Sequence, residues 1–356
     1  MLKPVLEISE VAAFLGEWAS SPVADLELMP TGQIASVYSF DVGSDDSHGS
    51  ASGMRQSDIG SSKYVARFVS PEYAEGLKKD RFIALRAAKV GVPVPRIVEL
   101  GETAMRVVNR SPEEELARDG SASHLAFAIC ERAPGEHMGE LQDVDRRHLL
   151  PAAIEAMDSI SHIDISDTTG FGWFDGEGKT GFATWVEYLA ATAEKTSPGS
   201  FYKKHRRLFE DGFLEADVFD YFSQRMMELA GYTPVTERSV VHSDFGWDNT
   251  LVEGDRVTSV LDWDNAIIGD HLYDGARTDL YSPDLDLKPL FAERNRSTGR
   301  EVPNFDERWL CSQLHVSIDA LGWYGRSNNP EAYEWMKART RFLLGEGPAV
   351  GRHPSS

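Results

Sequence analysis

The chain has 356 residues, more than one ordinary hydrophobic core organises, so two lobes are expected. A formal net charge of −21 argues against nucleic acid as a partner, since a phosphate backbone needs a basic face; it would attract a cationic small molecule, although from charge alone solubility is the better explanation. Two cysteines (Cys130 and Cys311), no bilayer-length apolar run and no basic-then-apolar leader exclude a disulfide scaffold, a membrane span and a secretory signal, so a reducing cytoplasm is the expected compartment.

Val11, Phe14, Leu15 and Trp18 recur at helical spacing and predict a helix over Ile8–Ala19, with Ser9 as a candidate N-cap. Leu26 to Val42 reads as strand, turn and strand, the turn being Pro30 to Gln33. Gly43 to Ser62, rich in Gly, Ser and Asp, reads as a flexible hairpin tip to which no chemistry is assigned. From Lys63 to Val69 the alternation puts Tyr64, Ala66 and Phe68 on one strand face and Lys63, Val65 and Arg67 on the other. A helix over Pro71–Val90 stops at the Gly91-Val92-Pro93-Val94-Pro95 breaker run. Strands are predicted at Ile97–Glu102 and Ala126–Cys130, on either side of a charged insertion, Pro112 to Asp119. The second of these ends in a polar, then Pro-Gly, segment that reads as a hinge between the lobes. Leu149–Ile163 is an amphipathic helix near whose end His162 is a packing or capping residue. A compact loop of aromatics and glycines, Thr168 to Phe174, then precedes Trp185 to Leu189.

The stretch Val240 to Asp274 gathers His, Asp and Asn side chains into two short loops joined by a hairpin. Thr250 to Val252 and Val257 to Leu261 are β-prone runs, and Glu253-Gly254-Asp255-Arg256 is turn chemistry. Antiparallel strands of similar length return the chain to its starting edge, so Asn249 and Asp262 are expected side by side. Their amide and carboxylate oxygens are hard donors suited to Mg²⁺. Asp244, in the loop leading in, is placed to accept a proton from an attacking hydroxyl. The bland alternative is that these acids only cap turns. Asp270 reads as a buried buttress of the loop, and Asp274, Asp279, Asp284, Asp286 and Asp319 as further acids of the same lobe, each singly explained by solvation or helix starts.

His242-Ser243-Asp244 with Asn249 resembles the catalytic loop, and Leu261-Asp262-Trp263 the metal-binding segment, of aminoglycoside phosphotransferase-type kinases. The resemblance implies an α+β, two-lobed protein-kinase-like fold: a β-rich N-lobe over residues 1–131, with an insertion at 43–62, and a mainly helical C-lobe over 132–356. It implies ATP (or GTP) between the lobes, Asp244 as catalytic base, Asn249 and Asp262 as Mg²⁺ ligands, and His242 bracing the loop. Arg67 matches the basic residue that grips the phosphates, with Lys63 in reserve, and Asp80 the acid paired with it, unless Asp80 is an ordinary surface acid. Backbone groups near Glu131 and Ala133 would read the nucleobase, and the turn at Gly32 would cover the phosphates.

A narrower likeness to hygromycin B kinases rests on Gly170-Phe171-Gly172 with Thr184-Trp185, on Ser39 to Gly43, and on Lys79-Asp80-Arg81; Asp264 departs from it, replacing a serine. The implied activity is ATP- and Mg²⁺-dependent phosphorylation of a hydroxyl on a small cationic aminocyclitol such as hygromycin B, by a monomer or homodimer. The alternatives are a same-fold kinase of another small metabolite and a non-catalytic nucleotide-binding module; a protein kinase lacks support, because no APE-like segment follows Asp262.

Overall fold

The structure, a computed structural model, describes residues 3–30, 34–43, 62–107, 122–196, 200–232, 234–351 and 353–354. The turn at Gly32, all but the ends of the 43–62 insertion and the Pro112–Asp119 insertion lie outside the described residues. Backbone contacts divide the chain into two compact units, residues 1–85 with 94–134, and residues 86–93 with 135–356.

The first unit is an antiparallel sheet in the order β1-β2-β3-β5-β4, built from β1 (Val23–Met29), β2 (Ser36–Val42), β3 (Ser62–Val69), β4 (Ile97–Met105) and β5 (Ser123–Glu131). Alternation sorts its residues by face. Tyr38, Phe40, Tyr64, Phe68, Phe127 and Ile129 pack with Val11 and Leu15 of helix α1 (Ile8–Ala19), which covers that face as expected of an opening amphipathic helix. Phe14 sets its edge 4.9 Å from the Phe127 ring, and Trp18 lies 5.3 Å from Tyr64. The opposite face buries Val69, Ala126 and Ala128 against Leu77 of α2 (Ala74–Ala87). Ser9 is not the N-cap of α1: the helix begins one residue earlier, and the Glu7 carbonyl receives the N–H groups of Glu10 and Val11. The helix read as Pro71–Val90 opens and closes in tight 3₁₀ turns around α2, and Gly91, at φ 77°, stops it in the left-handed region open to glycine.

Beyond residues 86–93, the second unit continues with β6 (Glu136–His137) and α3 (Asp143–Ser161), whose C-terminus is capped by His162 through the Asp158 carbonyl. Strands β7 (Phe171–Phe174), β8 (Thr180–Phe182), β9 (Ser239–Val241) and β12 (Ile267–Gly269) form a sheet in the order β8-β7-β12-β9, and β10 (Thr250–Glu253) with β11 (Arg256–Val260) makes the expected hairpin, paired on its other edge with β6. Helices α4 (Trp185–Ala193), α5 (Phe201–Lys204), α6 (Arg206–Glu210), α7 (Ala216–Tyr232), α8 (Tyr273–Tyr281), α9 (Leu287–Ser297), α10 (Phe305–Arg326) and α11 (Pro330–Leu343) complete it. Trp185, Leu189, Phe222, Met226, Leu280, Leu314 and Met336 belong to one large core that seats β9, β12 and α8. A capping box fixes the start of α4: Thr184 accepts from the Glu187 N–H while Glu187 accepts from the Thr184 N–H. Gly269 must be glycine, because a Cβ there would lie 2.6 Å from the Trp185 ring. Past α11 the chain folds back, with Trp335 donating to the Gly351 carbonyl and His353 buried against Tyr324 and Trp335. Among the described residues no helix is long and apolar enough to cross a membrane.

Candidate functional site

The three buried residues of β9 deliver the chain into a loop that starts at His242. Ser243 takes a left-handed conformation at φ 64°, which costs a non-glycine residue roughly 1–2 kcal/mol and persists only where the surroundings fix it. Asp274, in the first turn of α8, supplies that fixing: its two carboxylate oxygens accept the backbone N–H groups of His242 and Ser243, both at 2.8 Å. Burial drives the Asp274 pKa above the usual carboxylate range, against the pull of His242 and these N–H donors. His242 is fully buried, 4.5 Å from the Trp263 ring. Its Nδ1 accepts the Asp244 N–H at 3.2 Å, so its proton sits on Nε2 and is donated to the Leu261 carbonyl at 2.9 Å. One imidazole thus ties the loop to the far end of the hairpin, the bracing expected of it.

Asp244 emerges with its side chain about one-third exposed (31%). Its Oδ2 faces the Asn249 amide nitrogen at 3.3 Å, and the same nitrogen donates to its backbone carbonyl at 3.0 Å. Its Oδ1 is ion-paired with Arg277 of α8, a residue sequence reasoning missed. The signal was present: Arg277 follows Asp274 by three positions, so the helix face that meets the loop carries both. Arg277 also donates to the Phe245 carbonyl at 3.3 Å and lies 4.9 Å over the Tyr281 ring. Burial works against its charge, but Asp244 together with Tyr281, Tyr273 and Asp274 outweighs it, leaving its pKa above the ordinary arginine value.

The hairpin pairs Thr250 with Val260, and the Leu261 N–H donates to the Asn249 carbonyl at 2.8 Å, so Asn249 and Asp262 leave the same end of the ladder. Asp262 is left-handed at φ 62°. Because the Asn249 amide nitrogen is spent on Asp244, its oxygen is the atom left to act as a donor to a cation. Among the described residues no three His, Cys, Asp or Glu side chains form a metal cage. An amide oxygen and one carboxylate fit Mg²⁺, which keeps waters and substrate phosphates in its shell.

Comparison with known proteins bears on the same residues. The family model described as "Phosphotransferase enzyme family" (APH) matches residues 51–290. The chain is a member of this phosphotransferase family. A curated relative, hygromycin-B 4-O-kinase of Escherichia coli, is 27% identical over 99% of this chain and 90% of its own length. The crystal structure of aminoglycoside phosphotransferase APH(4)-Ia superposes with a TM-score of 0.71 at 24% identity, covering 96% of this phosphotransferase and all (100%) of that chain. A ternary complex of a thermostable APH(4)-Ia mutant with AMP-PNP and hygromycin B gives 0.70 at 24% identity over the same 96% and 100% coverage. The GDP complex of aminoglycoside 2'-phosphotransferase-IIIa gives 0.53 at 17% identity, with 95% and 97% covered. The expected kinase-like α+β fold is therefore the fold of the molecule.

In the first unit of the phosphotransferase, Arg67 on β3 is ion-paired with Asp80 on α2, their side chains 24% and 8% exposed. Asp80 is thus no loose surface acid, and Lys63 on the same strand is exposed. The Glu131 N–H is taken by the Arg96 carbonyl at 3.0 Å, and its side chain by the Arg96 guanidinium at 2.6 Å, while Ala133 lies past the last paired residue of β5. The buttress assigned to Asp270 belongs instead to Asp274. Asp270 accepts the Leu272 N–H and two bonds from Arg308, at 2.6 and 2.8 Å, and so anchors α10. The helix start at Tyr273 explains the difference, because it turns Asp274 toward the loop and leaves Asp270 behind it. Asp279 is also buried, accepting from the Leu287 N–H and from Gln313, and burial raises its pKa. Asp284 meets Arg147, while Asp319 stands exposed on α10.

Proposed function

We propose that this phosphotransferase moves the γ-phosphoryl group of ATP, with Mg²⁺, onto a hydroxyl of a small cationic aminoglycoside or aminocyclitol, with hygromycin B the first candidate. The observation that carries the reading is Asp244: a carboxylate open to solvent on one side, held by Asn249 and Arg277, on a loop locked by His242 and Asp274. As the acceptor oxygen attacks the γ-phosphorus, the Asp244 carboxylate takes its proton, the bond to the ADP oxygen breaks, and ADP leaves. Bound Mg²⁺ would supply charge neutralisation at the phosphates, with Asn249 and Asp262 holding it. The first unit is the nucleotide lobe, Arg67 gripping phosphates while Asp80 aims it and the backbone at Glu131 and Ala133 lies along the base; the second carries the acceptor. The net charge of −21 favours a polycation.

The likeness to hygromycin-B 4-O-kinase supports the acceptor class. The test is ADP or GDP release with Mg²⁺ across hygromycin B, other aminoglycosides and neutral polyols, with Asp244→Ala as control. Turnover on hygromycin B that vanishes in the control is expected. Turnover on a neutral polyol alone would replace the acceptor class with another metabolite, and nucleotide binding without turnover would leave a binding module.

A further inference from the structure

We infer that Arg277 is a positioning residue for the transfer step: it fixes the Asp244 carboxylate, and is itself aimed by an aromatic array that ends in the C-terminal segment. The inference rests on the proposed kinase reading.

A general base must present one lone pair along a fixed line, yet an aspartate that is 31% exposed retains freedom about both side-chain torsions. The Asn249 amide, at 3.3 Å from Oδ2, is a single long restraint and leaves the carboxylate plane undetermined. Arg277 closes the other side by holding Oδ1. With one anchor on each oxygen the plane is set, and the remaining lone pairs face the open side.

An exposed ion pair would not do this, because two long side chains wander at little cost. Arg277 is not of that kind. Its side chain is only 19% exposed, Nη1 is tied to the Phe245 carbonyl at 3.3 Å, and the guanidinium face rests 4.9 Å over the Tyr281 ring. The planar fork uses separate nitrogens for the carbonyl and the carboxylate, which a lysine cannot reproduce. Tyr281 is held in turn by the ring of the buried His353, which also bonds the Tyr324 hydroxyl through Nε2 at 2.8 Å. The His353 and Tyr281 rings lie 5.5 Å apart. Positioning therefore runs from His353, itself held by Tyr324, through Tyr281 and Arg277 to Asp244.

The test compares Arg277→Met, Arg277→Lys and Arg277→Ala with the parent enzyme, by kcat, both KM values, melting temperature and a crystal structure of Arg277→Met. A base displaced by about 1 Å costs on the order of 100-fold, so Arg277→Met should lose roughly 10- to 100-fold in kcat while the nucleotide KM stays unchanged. Arg277→Lys, which keeps the charge and loses the fork, should fall between. Added guanidinium should restore part of the Arg277→Ala rate and do nothing for Asp244→Ala, a rescue that a merely structural arginine would not show. Unchanged kcat in Arg277→Met, or no rescue in folded Arg277→Ala, overturns the proposal. If the parent turns over no acceptor in the panel, the kinase reading fails separately. The Arg277→Met crystal then decides: an Asp244 carboxylate in its original place overturns the proposal, and a displaced one upholds it.

Discussion

Replacing Asp274 with asparagine isolates the restraint on the loop that carries Asp244. The carboxylate accepts two backbone N–H groups at 2.8 Å in a site only 3% exposed. Asparagine keeps one acceptor oxygen and turns an NH₂ toward the other donor, so one charge-assisted bond is lost and a buried N–H is left unsatisfied, together roughly 2–4 kcal/mol. Against this, burial already penalises the wild-type charge, as its raised pKa records, and a neutral side chain recovers part of that. The net is a loss of about 2 kcal/mol by urea denaturation at pH 7. Catalysis should suffer more than stability. Ser243, at φ 64°, relaxes toward commoner backbone once one of its restraints weakens, moving Asp244 next to it. A fall in kcat of about 100-fold, with nucleotide affinity retained, is expected from a displacement near 1 Å. Full activity in a variant destabilised by this amount would refute the reasoning, since the loop would then hold its geometry without Asp274.

Arg308→Met should cost about 3–5 kcal/mol by leaving the fully buried Asp270 without its cation, while the folded fraction retains kcat; a large drop in kcat at unchanged stability would return Asp270 to the catalytic loop. Burial holds the His271 pKa down to about 4 from 6.5, so the unfolded chain takes up a proton that the folded chain refuses, and stability falls as pH drops from 6.5 toward 4. The loss is about 2 kcal/mol between pH 7 and 5 from this residue, and denaturation of His271→Gln at the two pH values should show a difference smaller by that amount. Arg67→Met should raise the nucleotide KM about tenfold, whereas Lys63→Ala leaves it unchanged; the opposite pattern in steady-state kinetics would move the phosphate contact to Lys63.

The hairpin of the candidate site was legible because its signals are local: β-prone runs, a Gly-containing turn, and Asn249 and Asp262 where the strands begin and end. The sheet of the first unit was legible for the same reason, alternation along β3 sorting Tyr64, Ala66 and Phe68 from Arg67 before any fold was known. What stayed hidden depends on helix phase. Asp270 lies just ahead of α8 and Asp274 in its first turn, and only the helix start at Tyr273 decides which of them faces His242. Arg277 was missed for the complementary reason: an arginine within a helix is ordinary, and its meaning comes from a partner on a loop 33 positions away. The start of α1 shows the weakness of residue preference at boundaries, since Ser9 lies inside the first turn and backbone alone makes the cap.

The folded-back segment after α11 carries a practical lesson. His353 is buried against Tyr324 and Trp335, and the Gly351 carbonyl is pinned by the Trp335 indole. Anything attached close behind Gly351 and His353, a purification handle included, is attached to a packed segment. An amino-terminal handle leaves it undisturbed and is the sounder format for any assay in which small rate differences are to be read.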